Sequence, residues 1–309
     1  MAIARFVPCA AQAGNAGSAQ HDCAPAVAYA RVGSMGRSAA TAIAIKALAA
    51  LAFLFSNATG TMAQTVSPAI VKELAPTGKL RAAINFGNPV LAQKDPATGD
   101  ARGVTGDLAR ELSKRLGVPV EFVAFDTAGK VSGSAKDGIW DICFLAIDPV
   151  RAADIAFTGP YVVIEGVYIV PKDSKLQKVA DVDSAGVRIA VGKGSAYDLF
   201  LTREIKHATL VRDASSGKSL DMFLRDKLEA GAGVKQPVVA FAKEHPETRV
   251  IPGRFMAIEQ AMGTVKGRDA AARYLREFVE EMKASGFVAK ALQASGQGDA
   301  TVAPSSPVN

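Results

Sequence analysis

The chain is poor in the residues that most chemistry needs. It has three cysteines and three histidines in 309 residues. Cys9 and Cys23 fall in an N-terminal stretch read below as a leader, which leaves Cys143 alone inside an apolar run. One thiol forms no intrachain disulfide, and no C-x-x-C pair or His/Cys spacing suited to a metal occurs, so no cofactor or metal is expected. Cys143 reads as a small core residue. The catalytic signatures H-E-x-x-H and G-x-S-x-G are missing, and His207 and His245 sit in polar stretches. No basic block with interleaved aromatics appears after residue 63. The net charge is +6, and half of it comes from Arg5, Arg31, Arg37 and Lys46 against Asp22 near the N-terminus. The remaining +3 argues against a nucleic-acid partner.

The first informative segment opens at Met35-Gly36-Arg37 and runs through Lys46 into the apolar stretch Ala47–Phe55. A polar patch follows, then Thr61-Met62-Ala63 before Gln64. A basic start, a short apolar middle and a small residue at the cut make an export signal. Nine apolar residues are too few to span a bilayer, which takes about 20. Residues 1–63 are therefore expected to be a leader, with Met35 as an alternative start, and the mature protein to be periplasmic. No cysteine sits at the expected cut, so no lipid anchor is expected.

Beyond Gln64 short apolar runs alternate with amphipathic helices. Lys79–Phe86 reads as a strand. Val104, Leu108, Leu112 and Leu116 recur every four residues and predict a helix with Thr105 as cap, Asp107 in its first turn and Gly117 as its stop. Val118–Val123 alternates as a strand, and "GIWDICFLAI" gives another that ends at Asp148. Tyr161–Val170 is long and extended, with a break expected at Gly166. Val187–Val191 is a strand leading into a helix from Ala196. Gln236–His245 reads as a helix, Gln260–Gly267 as a strand, and Asp269–Ser285 as a helix burying Tyr274, Leu275, Phe278 and Met282. This order implies an α/β architecture with largely parallel sheets and enough chain for two domains.

Two places invite a ligand. Asp148 is a good N-cap and Pro149 suits the first helical position, which puts the cation of Arg151 in a first turn, where the helix dipole opposes it. Arg151 also follows the C-terminal end of a buried strand, the edge at which ligands bind open α/β sheets. It either grips an anion or pairs with Asp148 or Asp154. The second place is "VGKGSAYD". Ser195 caps a helix with Asp198 three residues on, and the N–H groups of Gly194–Ala196 form an anion cradle or a routine helix start. Glu165 and Glu259 flank extended segments and are candidate acids or bases, or simply solvated carboxylates.

Four stretches, "GVTGDLARELSKRLGVPVEF", "IWDICFLAIDPVRAADIAFTGPY", "RIAVGKGSAYD" and "MGTVKGRDAAARYLREFVEEMKASG", together resemble the periplasmic solute-binding proteins of amino-acid-type ABC importers, extracellular family 3. The resemblance covers nearly all of Lys79–Leu292. It implies the two-lobed type II periplasmic-binding-protein fold, with crossover strands near Tyr161–Gly166 and Ala257–Gln260. Lobe one would be residues 64–163 and 259–296, lobe two 164–258, and 297–309 a disordered tail. It implies that Arg151 grips a ligand carboxylate, that Gly194-Ser195 closes on it from the other lobe, and that the partners are a small carboxylate and a membrane permease, with a monomeric protein.

Three departures bear on the ligand. Gly233-Val234 stand where the family has an acid for the ligand ammonium, Ala146 stands where a hydroxyl residue precedes the Arg, and Val90 and Leu91 stand where an aromatic stacks. The expectation is a small carboxylate or other anion, or an amino acid if Glu165 or Glu259 replaces the missing acid. The resemblance also extends to a periplasmic cyclohexadienyl dehydratase, in which case Glu165 would be the general acid or base. A sensor or partner-binding domain would need a separate membrane protein.

Overall fold

The computed structural model describes residues 66–307. The export signal and the alternative start at Met35 lie outside the described residues. Helix α1 (Pro68–Leu74) leads into β1 (Leu80–Asn85), the hairpin of β2 (Gln93–Lys94) and β3 (Ala101–Arg102), α2 (Val104–Leu116), β4 (Val120–Phe125), α3 (Ala128–Gly133) and β5 (Ile142–Ala146). A 3₁₀ turn over Arg151–Ala153 delivers the chain into the 17-residue β6 (Ile155–Pro171). Then follow β7 (Arg188–Gly192), α4 (Ala196–Glu204), β8 (Thr209–Asp213), α5 (Ser219–Arg225), β9 (Ala230–Val234), α6 (Lys235–Glu244) and β10 (Thr248–Val250). The chain returns through β11 (Met256–Val265) and ends with α7 (Asp269–Ala284), α8 (Phe287–Ala294) and β12 (Thr301–Val302).

Strand order in the main sheet is β4-β1-β5-β11-β6-β9-β7-β8. Parallel sets lie at either end: β1 with β4 and β5, and β7 with β8 and β9. Between them β6 and β11 run antiparallel, with Ile258 opposite Ile164. Two lobes result. Leu80, Ile84, Leu108, Ile142, Phe144, Leu275 and Phe278 form the core of the first. Tyr168, Ile189, Val191, Leu201 and Ile251 pack on one face of the second sheet, and Phe223 and Val238 on the other. Strand β6 belongs to both: Tyr161, Val162 and Ile164 pack in the first core, while Val167 to Val170 pack in the second. Extended backbone thus crosses between the lobes twice, once in each direction.

Helix α2 illustrates how the local pattern is used. Val104, Leu108, Leu112 and Leu116 are all buried, and each such side chain contributes roughly 1.5–3 kcal/mol by leaving water. Gly117 ends the helix at φ 67°, and its N–H reaches the Lys114 carbonyl. The start differs from expectation. Gly103 holds the N-cap position, and the Thr105 hydroxyl instead donates to the Leu91 carbonyl at 3.1 Å, tying the helix to the loop before it. Strand β6 also runs straight through Gly166 without a break. A Cβ there would stand 2.8 Å from Met256 Cγ, so the glycine permits close side-chain packing over a continuous strand.

The C-terminal segment corrects the expectation of a disordered tail. Thr301 and Val302 pair with Val163 and Val162, Ala300 and Ala303 are buried, and the Ser306 N–H donates to Glu280 at 3.1 Å. Its polar, Pro-rich composition hid a two-residue edge strand whose backbone finds partners on β6.

A buried ion cluster anchors the first lobe. Asp141, fully buried, accepts from Arg81 Nε at 2.9 Å, Arg81 Nη2 at 2.8 Å and Arg268 Nη1 at 3.1 Å. Asp141→Asn is expected to lower stability by about 1.5–3 kcal/mol, read as a fall in the urea midpoint; an unchanged midpoint would contradict this role. Cys143 is enclosed in the same lobe, and burial pushes its thiol up to about 12. It is expected to resist thiol reagents until the protein unfolds, and rapid labelling of the folded protein would count against that.

Candidate functional site

Strand β5 ends at Ala146, and Asp148 starts the next turn by accepting the Val150 N–H at 2.8 Å on its Oδ1. That turn aims Arg151 back under the strand end. Its side chain is 2% exposed. Nη1 donates to the Ala146 carbonyl at 2.9 Å, Nη2 donates to the Gly194 carbonyl at 2.8 Å, and Nε has no partner. The expected salt-bridge alternatives are occupied elsewhere. Asp148 Oδ2 pairs with Arg203 at 2.8 Å, and Asp154 pairs with Lys136 at 2.9 Å. Burial pushes Arg151 down to about 10, only partly offset by the Asp148 charge. The group stays a cation at neutral pH, at a desolvation cost on the order of 3 kcal/mol. An anion reaching this guanidinium would offset that cost.

Arg151 lines a cavity of about 240 Å³ between the lobes. Neutral polar groups share the lining. The first lobe supplies Asn85, Asn88 and Gln260, and the second supplies Ser195, Tyr197, Ser216 and Ser219. Apolar contacts come from Leu145, Ala146, Val234, Pro237, Val238 and Ile258. Asn85 closes β1 and Val234 closes β9, so the cavity sits over carboxyl ends of strands, where α/β folds bind ligands. Burial pushes the Tyr197 phenol up, opposed by the Ser219, Ser195 and Ser216 hydroxyls and the Gly192 backbone. Among the described residues Arg151 is the sole charged one in the lining; no Asp, Glu, Lys or His takes part.

The lobes touch around this cavity. Besides Arg151 to Gly194, the Asp148–Arg203 pair joins the turn after β5 to α4. Gly129 and Gly194 meet backbone to backbone: a Cβ on Gly194 would lie 2.8 Å from Gly129 Cα. A side chain at Gly194, where φ is 71°, would force this contact to shift.

The expected site residues separate into two sets. Arg151, Ala146, Ser195 and Val234 line the cavity, with Gly194 bonded to Arg151 at its edge. Gly194-Ser195 does not offer a free cradle, however. The Gly194 N–H donates to Asp198 Oδ2 at 2.8 Å and the Ser195 N–H to the Gly192 carbonyl, while the Ser195 hydroxyl caps α4 by accepting from Asp198 N. Val90 is buried in the first core and does not line the cavity. Glu165 also lies away from it. Its carboxylate is held by Lys235 at 2.6 Å and Arg254 at 3.2 Å beside a separate groove, and the Lys235 contact above all holds it below the usual carboxylate range. Glu259 is exposed and alternates with the inward-facing Ile258 and Gln260. Neither acid lines the cavity, and Glu165, the acid or base of the dehydratase alternative, lies beside another groove. His207 is exposed and His245 is paired with Glu247.

Asn85, Asn88, Ser216, Ser219 and Gln260 were not anticipated as lining residues. Asn85 was within reach of sequence reasoning, because it is a polar residue at the end of an otherwise apolar strand. The Ser216–Ser219 turn carries no local signal of its own. Among the described residues no cluster of His, Cys, Asp and Glu could hold a metal, and no helix is long and apolar enough to cross a membrane.

Among curated proteins none matches the chain by sequence. Solved structures share its architecture. A mutant of ArgBP from T. maritima is 21% identical with a TM-score of 0.63, covering 74% of this chain and 99% of that one. The solute receptor for L-cysteine of Neisseria gonorrhoeae is 24% identical with a TM-score of 0.64, covering 73% and 92%. An ancestral amino acid-binding protein, described as a precursor of cyclohexadienyl dehydratase, is 22% identical with a TM-score of 0.62, covering 72% and 98%. At such identities the likeness establishes the fold, the two-lobed type II periplasmic-binding-protein architecture. The model of the bacterial extracellular solute-binding proteins, family 3, matches residues 80–295. That match takes in β1 through α8 and every residue lining the cavity, and the chain belongs to this family.

Proposed function

We propose that the protein captures a small carboxylate-bearing solute, an amino acid or a related organic anion, and delivers it to the membrane permease of an ABC importer. It would act as a monomer in the periplasm after cleavage of its export signal. Its lobes would be residues 64–163 with 259–296, and residues 164–258. The observation that carries this reading is the Arg151 guanidinium: buried in an interlobe cavity, bonded to two backbone carbonyls and to no carboxylate. A buried cation of that kind is poised for a charge-assisted hydrogen bond to a ligand anion. Solved structures of the same fold include a substrate-binding protein bound to L-arginine and a solute receptor for L-cysteine.

Closure follows from the same contacts. The ligand shifts the open–closed balance only through interactions it makes better in the closed arrangement. Arg151 from one lobe already reaches the Gly194 carbonyl of the other, so an anion on Arg151 would sit where both lobes converge. Hinge bending would concentrate in the extended crossings of β6 and β11.

Arg151→Ala is expected to weaken solute binding by about 2 kcal/mol or more, roughly 30-fold in Kd, measured by calorimetry. A variant that binds as tightly as the parent would sink the proposed function. Arg203→Ala removes a half-exposed cross-lobe partner of Asp148 that does not itself line the cavity. Asp148 is buried although Arg203 is not, so losing this charge-assisted pair is expected to weaken binding by roughly tenfold. Scattering measurements should show the free variant more open than the parent; identical profiles would remove this pair from the closure mechanism.

A further inference from the structure

The lining of the cavity says what the second half of the solute cannot be. We propose that the protein's solute is an amine-free monocarboxylate whose remaining polar group is neutral, a hydroxyl or a carbonyl. This rests on the reading of Arg151 as the carboxylate anchor and names the solute class within it.

The charge inventory carries the inference. Among the described residues Arg151 is the one charged residue of the lining, and it is positive. An α-amino acid would place an ammonium in the same closed cavity, a few ångströms from that guanidinium. A buried ammonium needs a counter-charge and hydrogen-bond acceptors around it, and neutral dipoles offset only part of its lost hydration. The two acids that might have supplied the counter-charge are not there. Glu165 is neutralised by Lys235 and Arg254 beside another groove, and Glu259 points away from the cavity, whose lining it does not join. At the end of β9, where a carboxylate would face the cavity, the chain has Gly233 and Val234, and a Cβ on Gly233 would already press Val238 Cγ2 at 2.7 Å.

What does face the cavity suits a neutral polar group. Asn88 lines it, and its buried Oδ1 has no hydrogen-bond partner, so it can accept from a solute hydroxyl. The Ser219 hydroxyl donates to the Ser216 carbonyl at 2.9 Å and is left to accept, while the Ser216 hydroxyl and the Gln260 amide can each donate or accept. With a single cation available, a second carboxylate on the solute would stand unpaired, and hence one carboxylate is specified.

The test compares matched triplets on the exported protein freed of bound solute: alanine, lactate and pyruvate, then leucine with its α-hydroxy and α-oxo analogues. Each is followed by thermal shift and calorimetry. The hydroxy or oxo acid of at least one skeleton is expected to raise Tm and to bind at least about tenfold tighter than the amino acid. Amino acids binding as tightly as their amine-free analogues would overturn this inference while leaving carboxylate capture intact. Binding by no carboxylate of either kind would overturn both. Val234→Asp supplies the missing acid at a helix N-cap, a position that favours Asp. It is expected to move the preference at least about tenfold toward the amino acid of the same skeleton. A variant with parental circular dichroism that gains no amine binding would contradict the claim that the absent carboxylate excludes amines.

Discussion

One cation without a counter-ion organises this protein. Arg151 is fully desolvated, and the two acids nearest in sequence are both committed to other cations. Two backbone carbonyls keep the guanidinium ordered, and the nearby Asp148 charge compensates it only in part. The folded chain therefore carries an electrostatic cost that an anionic guest would relieve. Such a cost is tolerated only where the surroundings hold the side chain in place. Here the end of β5, the Asp148-capped turn and the Gly194 turn do so from three directions.

The architecture turns that single contact into a link between two bodies. The carbonyls that Arg151 bonds come from different lobes, Ala146 from the first and Gly194 from the second. The lobes are also joined by the Asp148–Arg203 pair, the Gly129–Gly194 contact and the extended backbone of β6 and β11, with β12 laid along β6 beside the crossing. Extended crossings bend with small φ/ψ changes, whereas the packed cores on either side do not. Contacts at the cavity thus bear directly on the relative placement of the lobes. The neutral character of the other lining groups then sets which anions are accepted, because they can match oxygen but cannot balance a second charge.

Much of this was legible in the sequence. The four-residue stripe of α2, the Gly117 stop and the buried face of α7 at Leu275, Phe278 and Met282 follow from periodicity and capping alone. Arg151 was conspicuous as a cation in an expected first helical turn, though the chain forms only a three-residue 3₁₀ turn there, with Val150 at its N-cap. What periodicity could not show was where the acids go. Glu165 and Glu259 flank extended segments as expected, yet each faces away from the cavity. Strand alternation puts Ile258 and Gln260 inward and Glu259 outward, and a one-residue difference in register would have reversed that. The cradle at Gly194–Ala196 is partly used up for a related reason. Asp198, read as part of a capping arrangement, spends the Gly194 N–H that a ligand would have used. The ordered tail depended on a long-range partner, β6, which no local rule names.

The most direct test of the central claim is a crystal structure of the exported protein with its co-purified solute retained. The account predicts a carboxylate within hydrogen-bonding distance of the Arg151 Nη or Nε atoms, enclosed between the lobes. A solute bound elsewhere, or one that presents a neutral or cationic group to Arg151, would contradict it.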